Sequence, residues 1–303
     1  MYDLIIIGGG PAGITAAVYA ARKNMDFLMI TKDIGGQAAW SGDIENYTGY
    51  QFISGPELAS KFAEHMKQFS FPLKDSESVT KIERSGKSFR VITEKGSYEA
   101  RALIIASGKK PRLLNVPGEV EYKNKGVTYC ATCDGPVFAG KDVAIIGGGN
   151  SALDAALQML KIATKVYLIN IGPALRGDKI MLEKLKSASN IEIMNDTKTL
   201  SISGDRFVTS IKVAVGGKER DIPVSGVFIE AGLTPNSEMI DIVEKNKEGE
   251  IEVDCSSATT VEGIFAAGDV TNVPDKQIII AAGEGAKACL SAFRYLSTHR
   301  FEV

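Results

Sequence analysis

An apolar run, a glycine-rich turn and an alanine-rich helix occur in succession twice in this chain, and no other feature limits the fold as strongly. The first copy is Asp3-Leu4-Ile5-Ile6-Ile7-Gly8-Gly9-Gly10-Pro11-Ala12-Gly13; the second is Asp142-Val143-Ala144-Ile145-Ile146-Gly147-Gly148-Gly149-Asn150-Ser151-Ala152. Four consecutive apolar residues predict a strand buried on both faces. In Gly8-x-Gly10-x-x-Gly13 the first glycine permits the tight turn, the second lets backbone approach a pyrophosphate, and the third lets the helix close on the strand. The helix N-terminus then offers its partial positive charge to phosphate. Gly8, Gly10 and Gly13 are therefore candidate nucleotide-binding residues, the alternative being a tight turn with no ligand.

The repeat extends beyond the turn. Leu4–Ile7 then Gly13–Lys23 corresponds to Val143–Ile146 then Ser151–Leu160, and each helix leads to a short strand, Phe27–Ile30 or Lys165–Ile169. Alternating strands around a glycine turn follow: Phe89–Thr93 with Tyr98–Ala100, and Ser210–Val215 with Lys218–Ile222. Each half then has an apolar strand leading into Gly-x-x-Pro, at Gly108-Lys109-Lys110-Pro111 and Gly232-Leu233-Thr234-Pro235. This predicts an α/β chain of two similar Rossmann-like three-layer domains, each with a β-meander. The tail from about Lys245 offers a strand pair, Ile251–Val253 and Gly263–Ala267, and a helix from about Ile279 to Leu296. Some 60 residues bury too little to fold alone, so the tail is expected to complete the first domain. The expected domains are 1–114 with 245–303, and 115–244, linked near Leu113–Pro117 and Ile242–Gly249.

An acid that binds ribose is expected about 20 residues after such a glycine motif. Asp33 has that spacing from Gly13, although Lys32 competes for the strand-end slot. After the second motif the matching residue is Asn170, which can offer one neutral hydrogen bond, and Arg176 is the nearby cation. Neither an acid for the 2′-hydroxyl of NADH nor a basic cluster for the 2′-phosphate of NADPH is present, which removes most charge-assisted contacts for NADPH. Gly147, Gly149, Asn150, Ser151, Asn170 and Arg176 form the candidate nicotinamide-nucleotide site; a retained fold with a vestigial pocket is the alternative.

Just before the second copy stands Tyr129-Cys130-Ala131-Thr132-Cys133-Asp134. Zinc would need four ligands, but Cys255 and Cys289 are isolated and the chain has only two histidines. A metal site is not expected, and Cys255 and Cys289 read as inert. The C-x-x-C spacing favours an exchangeable disulfide with a lowered thiol pKa. Asp134 beside the pair can hold the proton each exchange step moves, or it can be a solvated turn residue.

The near-balance of 35 basic and 37 acidic residues gives no electrostatic case for nucleic acid. No apolar run approaches the roughly 18 residues of a membrane span, and no signal peptide is expected ahead of the strand at Asp3. Four cysteines with one C-x-x-C do not form a disulfide framework, so the expected setting is a reducing cytoplasm.

Together with Gly35-Gly36-Gln37, Asp43-Ile44-Glu45-Asn46-Tyr47, Cys133-Asp134-Gly135-Pro136, Gly268-Asp269-Val270 and Lys276-Gln277-Ile278 through Gly283-Glu284-Gly285-Ala286, these motifs make the chain resemble the low-molecular-weight thioredoxin reductases over essentially its whole length. It is most similar to the C-terminal part of the alkyl hydroperoxide reductase flavoprotein subunit. The resemblance implies FAD in the first domain and an NAD(P)-binding-like second domain carrying the dithiol. The implied FAD set is Gly8, Gly10, Pro11, Ala12, Gly13, Asp33, Gly36, Gln37, Asn46, Val79, Ala106, Ser107, Gly108, Gly268, Asp269, Lys276, Gln277 and Ile278. It implies that Cys133 faces the flavin, that Cys130 exchanges with the partner disulfide and that Asp134 is the acid–base. It further implies a homodimer in which one domain rotates so that dithiol and nicotinamide alternate at the flavin.

The FAD motif starts at residue 3, so a separate thioredoxin- or glutaredoxin-like protein is expected to accept the electrons. The paired arginines that hold NADPH in this family are replaced by Ile171 and Gly172, and the acid of NADH-using relatives by Asn170. That loss resembles a pyridine-nucleotide-independent branch fed by ferredoxin. The expected activity is protein-disulfide reduction with reduced ferredoxin or NADH, rather than NADPH, as donor. The alternatives are a non-enzymatic flavin-binding redox sensor and an NAD(P)H-dependent reductase of a peroxiredoxin system.

Overall fold

A computed structural model describes residues 1–41 and 43–299; Gly42 and residues 300–303 lie outside the described residues. The chain divides into two compact units. The first comprises Met1–Lys110 and the chain from Thr234 onward, and the second Pro111–Leu233.

In the first unit the run Leu4–Ile7 is a fully buried strand, as its uniform hydrophobicity requires. It pairs in parallel with Phe27–Ile30 on one side and Ser97–Ile105 on the other. Ile264–Ala266 adds in parallel beyond Ser97–Ile105. Alternate side chains serve two cores. Leu4, Ile6 and Met29 face the helices Pro11–Arg22 and Ile278–Thr298, while Ile5, Ile7, Leu28 and Ile30 pack with Phe89 and Val91 of the meander. The nine-residue strand Ser97–Ile105 joins these layers, because its first half pairs antiparallel with Ser88–Thr93. The parallel register aligns Ile7 with both Ile30 and Ile105, and Ile105 with Ala266. The loops after these strands, beginning at Gly8, Thr31, Ala106 and Ala267, therefore meet at one edge, where ligands of such sheets bind.

The second unit repeats the plan. Its parallel sheet runs Val127–Thr128, Gly226–Ile229, Asp142–Ile146, Lys165–Ile169, Ile191–Met194. A separate antiparallel meander of Thr197–Gly204, Val208–Val215 and Lys218–Pro223 packs Ile202, Ile211, Val213 and Ile222 against it. The carboxyl ends again align and bring the residues after Thr128, Ile229, Ile146 and Ile169 to one edge.

The second chain crossing lies at Leu233–Pro235, about ten residues before the Ile242–Gly249 link expected from sequence. Ile240, between the two, and Val243, within the expected link, are buried in the first unit's core with Ile251 and Val270. Ile251 makes isolated bridges to Lys245 and Thr271 instead of forming a strand with Gly263–Ala267. No helix among the described residues is long and apolar enough to cross a membrane.

Candidate functional site

Two constellations occupy the two sheet edges, one in each unit. In the first unit, Gly8 turns the chain at φ +113°, and a Cβ there would lie 2.2 Å from the Ala106 carbonyl oxygen. A Cβ on Gly13 would lie 1.9 Å from the Gly8 carbonyl oxygen, so strand and helix touch backbone to backbone. Gly10 differs: a Cβ there meets nothing within 4 Å. Open space therefore fronts the helix that begins at Pro11, where unpaired backbone N–H groups point. Gly36 closes over this turn, since its Cβ would lie 3.1 Å from the Gly10 Cα.

The surrounding residues are held by specific bonds. The Gln37 side chain donates to the Lys109 carbonyl at 3.0 Å, and Asn46 Nδ2 donates to Gln277 Oε1 at 3.0 Å. Ser107 Oγ donates to the Asn236 carbonyl at 2.6 Å, and Asn236 Nδ2 returns a bond to the Ser107 carbonyl at 2.9 Å. The Gly268 N–H donates to buried Glu284 Oε2 at 2.8 Å, which fixes the turn that presents Asp269. Burial raises the Asp269 carboxyl against the pull of Lys276 and Lys109. Gln277 caps the last helix and Ile278 packs on Ile44, Ile53 and Leu58. Asp33 is exposed, with its carbonyl accepting from Thr31 Oγ1 at 2.6 Å. Val79 opens the first meander strand and packs on the core beneath. Sequence reading missed Lys109 and Glu250, which form an ion pair at 2.9 Å across 141 residues of chain. No local pattern marks such a pair.

In the second unit Cys130 and Cys133 form a disulfide, with Cα atoms 5.3 Å apart. Cys130 follows the strand Val127–Thr128 and caps the short helix Ala131–Asp134; the Cys133 N–H donates to its sulfur at 3.1 Å. That bond holds the Cys133 backbone against the Cys130 sulfur. Asp134 Oδ2 accepts from Thr128 Oγ1, while the Cys130 N–H donates to the same hydroxyl oxygen at 3.2 Å. The acid is thus tied to the backbone of the first cysteine. Thr132, between the cysteines, donates to Gln158 Oε1 at 2.9 Å, and Gln158 Nε2 donates to Asp154 Oδ2 at 2.9 Å.

The second glycine turn has the same backbone contact as the first: a Cβ on Gly147 would lie 2.1 Å from the Glu230 carbonyl oxygen. Around it the polar groups are arranged differently. Asn170 is buried, and its Nδ2 donates to the Gly172 carbonyl at 3.0 Å and to Asn195 Oδ1 at 2.9 Å. Its Oδ1 accepts from the Gly172 N–H at 3.1 Å. Both amide protons are therefore used within the protein. Asn150 Oδ1 accepts from the Asp178 N–H at 2.9 Å, and Ser151 lies exposed in the helix that Asn150 begins. The Arg176 N–H donates to the Gly148 carbonyl at 2.6 Å while the residue itself is exposed. Sequence reading also missed Glu230, between the cysteine strand and the glycine turn, whose carboxyl is pushed up to about 8 by burial and by Asp154. Of the other cysteines, Cys255 is exposed and Cys289 is fully buried, its thiol pushed up to about 12 by burial. Among the described residues no cluster of histidine, cysteine or acidic side chains could hold a metal.

Each of the two Rossmann-like units carries its own feature at the sheet edge, an open glycine cradle in one and a cysteine pair in the other. The family model for pyridine nucleotide-disulphide oxidoreductases matches residues 2–285, and the chain belongs to that family. It is 42% identical over 303 residues to the F subunit of alkyl hydroperoxide reductase from Escherichia coli, covering 97% of this chain and 58% of the relative. It is 40% identical over 299 residues to the NADH dehydrogenase of Bacillus subtilis, with 97% and 58% covered. The chain thus spans somewhat over half the length of these curated relatives. The crystal structure of Lactococcus lactis thioredoxin reductase superposes with a TM-score of 0.94 at 36% identity, covering 99% of this chain and all of that one.

Proposed function

We propose that the chain is a protein-disulfide reductase that takes electrons on FAD in the first unit and passes them through Cys130 and Cys133 to a thioredoxin- or glutaredoxin-like protein. The observation that carries this reading is the closed Cys130–Cys133 disulfide with Asp134 anchored beside it. The first unit's residues fit FAD, since open space at Gly10 fronts a helix N-terminus and Asp269 offers a half-buried carboxyl acceptor for sugar hydroxyls. Gly8, Gly10, Pro11, Ala12 and Gly13 would hold the pyrophosphate, and Gln37, Asn46, Asp269 and Gln277 the flavin half. When bound, FAD supplies the two-electron reduction of the disulfide.

The protein groups then act as follows. The Cys130 thiolate attacks one sulfur of the partner disulfide. A Cys130–partner bond forms, the partner sulfur–sulfur bond breaks, and Asp134 delivers a proton to the departing partner thiolate. Cys133, deprotonated in turn by Asp134, attacks the Cys130 sulfur. This releases the second partner sulfur as a thiol and restores the Cys130–Cys133 bond. Two electrons and two protons leave with the partner, so the cycle balances.

For the donor, reduced ferredoxin or NADH is placed ahead of NADPH. Support comes from the internal use of Asn170 and from Ile171, 75% exposed, with Gly172 where the resemblance reserves arginines for a 2′-phosphate. The B. subtilis relative, an NADH dehydrogenase by name, favours NADH as the alternative to ferredoxin. The E. coli relative, part of an alkyl hydroperoxide reductase by name, favours a second reading in which the accepting protein serves a peroxiredoxin system. Homodimeric assembly rests on the resemblance alone. The test is anaerobic mixing of oxidised protein with each donor while flavin absorbance is followed, then turnover with an oxidised thioredoxin. Bleaching by reduced ferredoxin or NADH is expected; fast bleaching by low concentrations of NADPH would reverse the donor order.

A further inference from the structure

We propose that Lys109, acting with Lys276 and Glu250, is a positioning residue that sets the electron affinity of the FAD held by the first unit; this rests on the FAD reading above. Lys109 Nζ lies 2.9 Å and Lys276 Nζ 3.1 Å from the same oxygen of Glu250. The other carboxylate oxygen accepts from Asn246 Nδ2 at 2.7 Å. All three charged side chains are largely buried, at 13%, 22% and 14% exposure for Lys109, Lys276 and Glu250. Burying an ion pair rarely adds stability, and a second ammonium group on one carboxylate adds a further desolvation cost. Such a cluster gains a purpose if its field acts on something nearby.

Its neighbours indicate what that is. The Lys109 carbonyl holds Gln37, and Lys276 directly precedes Gln277, which holds Asn46. These are the side chains assigned to the flavin half of the cradle. Both lysines also act electrostatically on Asp269, which is assigned to the same group. Glu250 opposes them there, and Glu284 interacts with Lys276 and Asp269. Reduction of FAD by two electrons and one proton gives FADH⁻ and adds one negative charge to this region. A fixed cation favours that change and a fixed anion opposes it, whatever the protonation state of Asp269. The field of Glu250 is the one that the lysines offset, so removing either kind of charge gives opposite signs.

The experiment measures the FAD/FADH⁻ potential of the full chain loaded with FAD, reduced with dithionite against a reference dye. Lys109→Gln should lower the reduction equilibrium constant about tenfold, which is about 30 mV for a two-electron couple. Glu250→Gln should raise it, Lys109→Arg should restore the wild-type value, and Lys110→Gln should not change it. Lys110 is the adjacent control, since its pair with Glu238 is half-exposed. Lys276→Gln provides a second lowering variant if Glu250→Gln does not fold. Yellow protein in which Lys109→Gln keeps the wild-type potential, or in which the Lys109 and Glu250 variants shift in the same direction, overturns this proposal alone. Protein that takes up no FAD overturns the reading beneath it as well.

Discussion

Cys133→Ser is expected to abolish turnover with a thioredoxin-like substrate while leaving the flavin reducible by its donor. Serine cannot attack the Cys130 sulfur, so the sequence of exchanges stops after its first step. The loss should be on the order of a thousandfold or more, the scale for removal of an activated nucleophile. The two cysteines should fail differently. Cys130 keeps its thiol in Cys133→Ser and should accumulate a mixed disulfide with the partner, visible as a mass increase that dithiothreitol reverses. Cys130→Ser should be equally inactive but trap nothing, because the remaining Cys133 is assigned to the flavin. Trapping by Cys130→Ser alone would reverse the two roles. Asp134→Asn should keep the disulfide and slow each exchange, because Thr128 holds the side chain where the proton is needed.

Gly13→Ala and Gly10→Ala should separate folding from cofactor binding. A methyl group on Gly13 would lie 1.9 Å from the Gly8 carbonyl oxygen and 2.9 Å from its carbon, both backbone atoms that cannot step aside. The helix would have to lift from the strand, at a cost of about 3 kcal/mol or more. Insoluble or cooperatively destabilised protein is the expected result. A methyl group on Gly10 meets no protein atom within 4 Å, and the residue has φ −78°, which alanine adopts freely. The fold should survive with its melting temperature nearly unchanged. The methyl group would instead occupy the space assigned to pyrophosphate. FAD affinity should fall on the order of 100-fold, equivalent to about 3 kcal/mol of lost phosphate contact. Folded Gly10→Ala with weakened FAD binding beside poorly folded Gly13→Ala is the expected pair; Gly10→Ala with wild-type FAD affinity would remove the cradle from the account.

The features that sequence exposed are those written in contiguous residues. Leu4–Ile7 and Val143–Ile146 are central strands because four apolar residues in a row leave no polar face. Gly8, Gly13 and Gly147 mark backbone contacts that any side chain would block. The Cys130–Cys133 link is favoured by the C-x-x-C spacing together with the lack of further zinc ligands. The features that remained hidden depend on partners far along the chain. Thr197–Gly204 carries polar residues on its open face and becomes a strand only by pairing with Val208–Val215. Val243 belongs to a segment that reads as a link, yet it is buried with Ile240 against the meander core. Asn170 reads as a free hydrogen-bonding group, but Gly172 and Asn195 use both of its amide protons. The Lys109–Glu250–Lys276 cluster joins a short strand, Lys109–Pro111, to two loops that no periodicity connects.

The most direct measurement is an anaerobic titration of the purified, FAD-loaded chain with dithionite, counting electrons while the flavin spectrum and free thiols are read. Two communicating acceptors require two electrons for the flavin and two for Cys130–Cys133, with two new thiols at the end point. An end point after two electrons with the disulfide intact, or a chain that binds no flavin, would contradict the account.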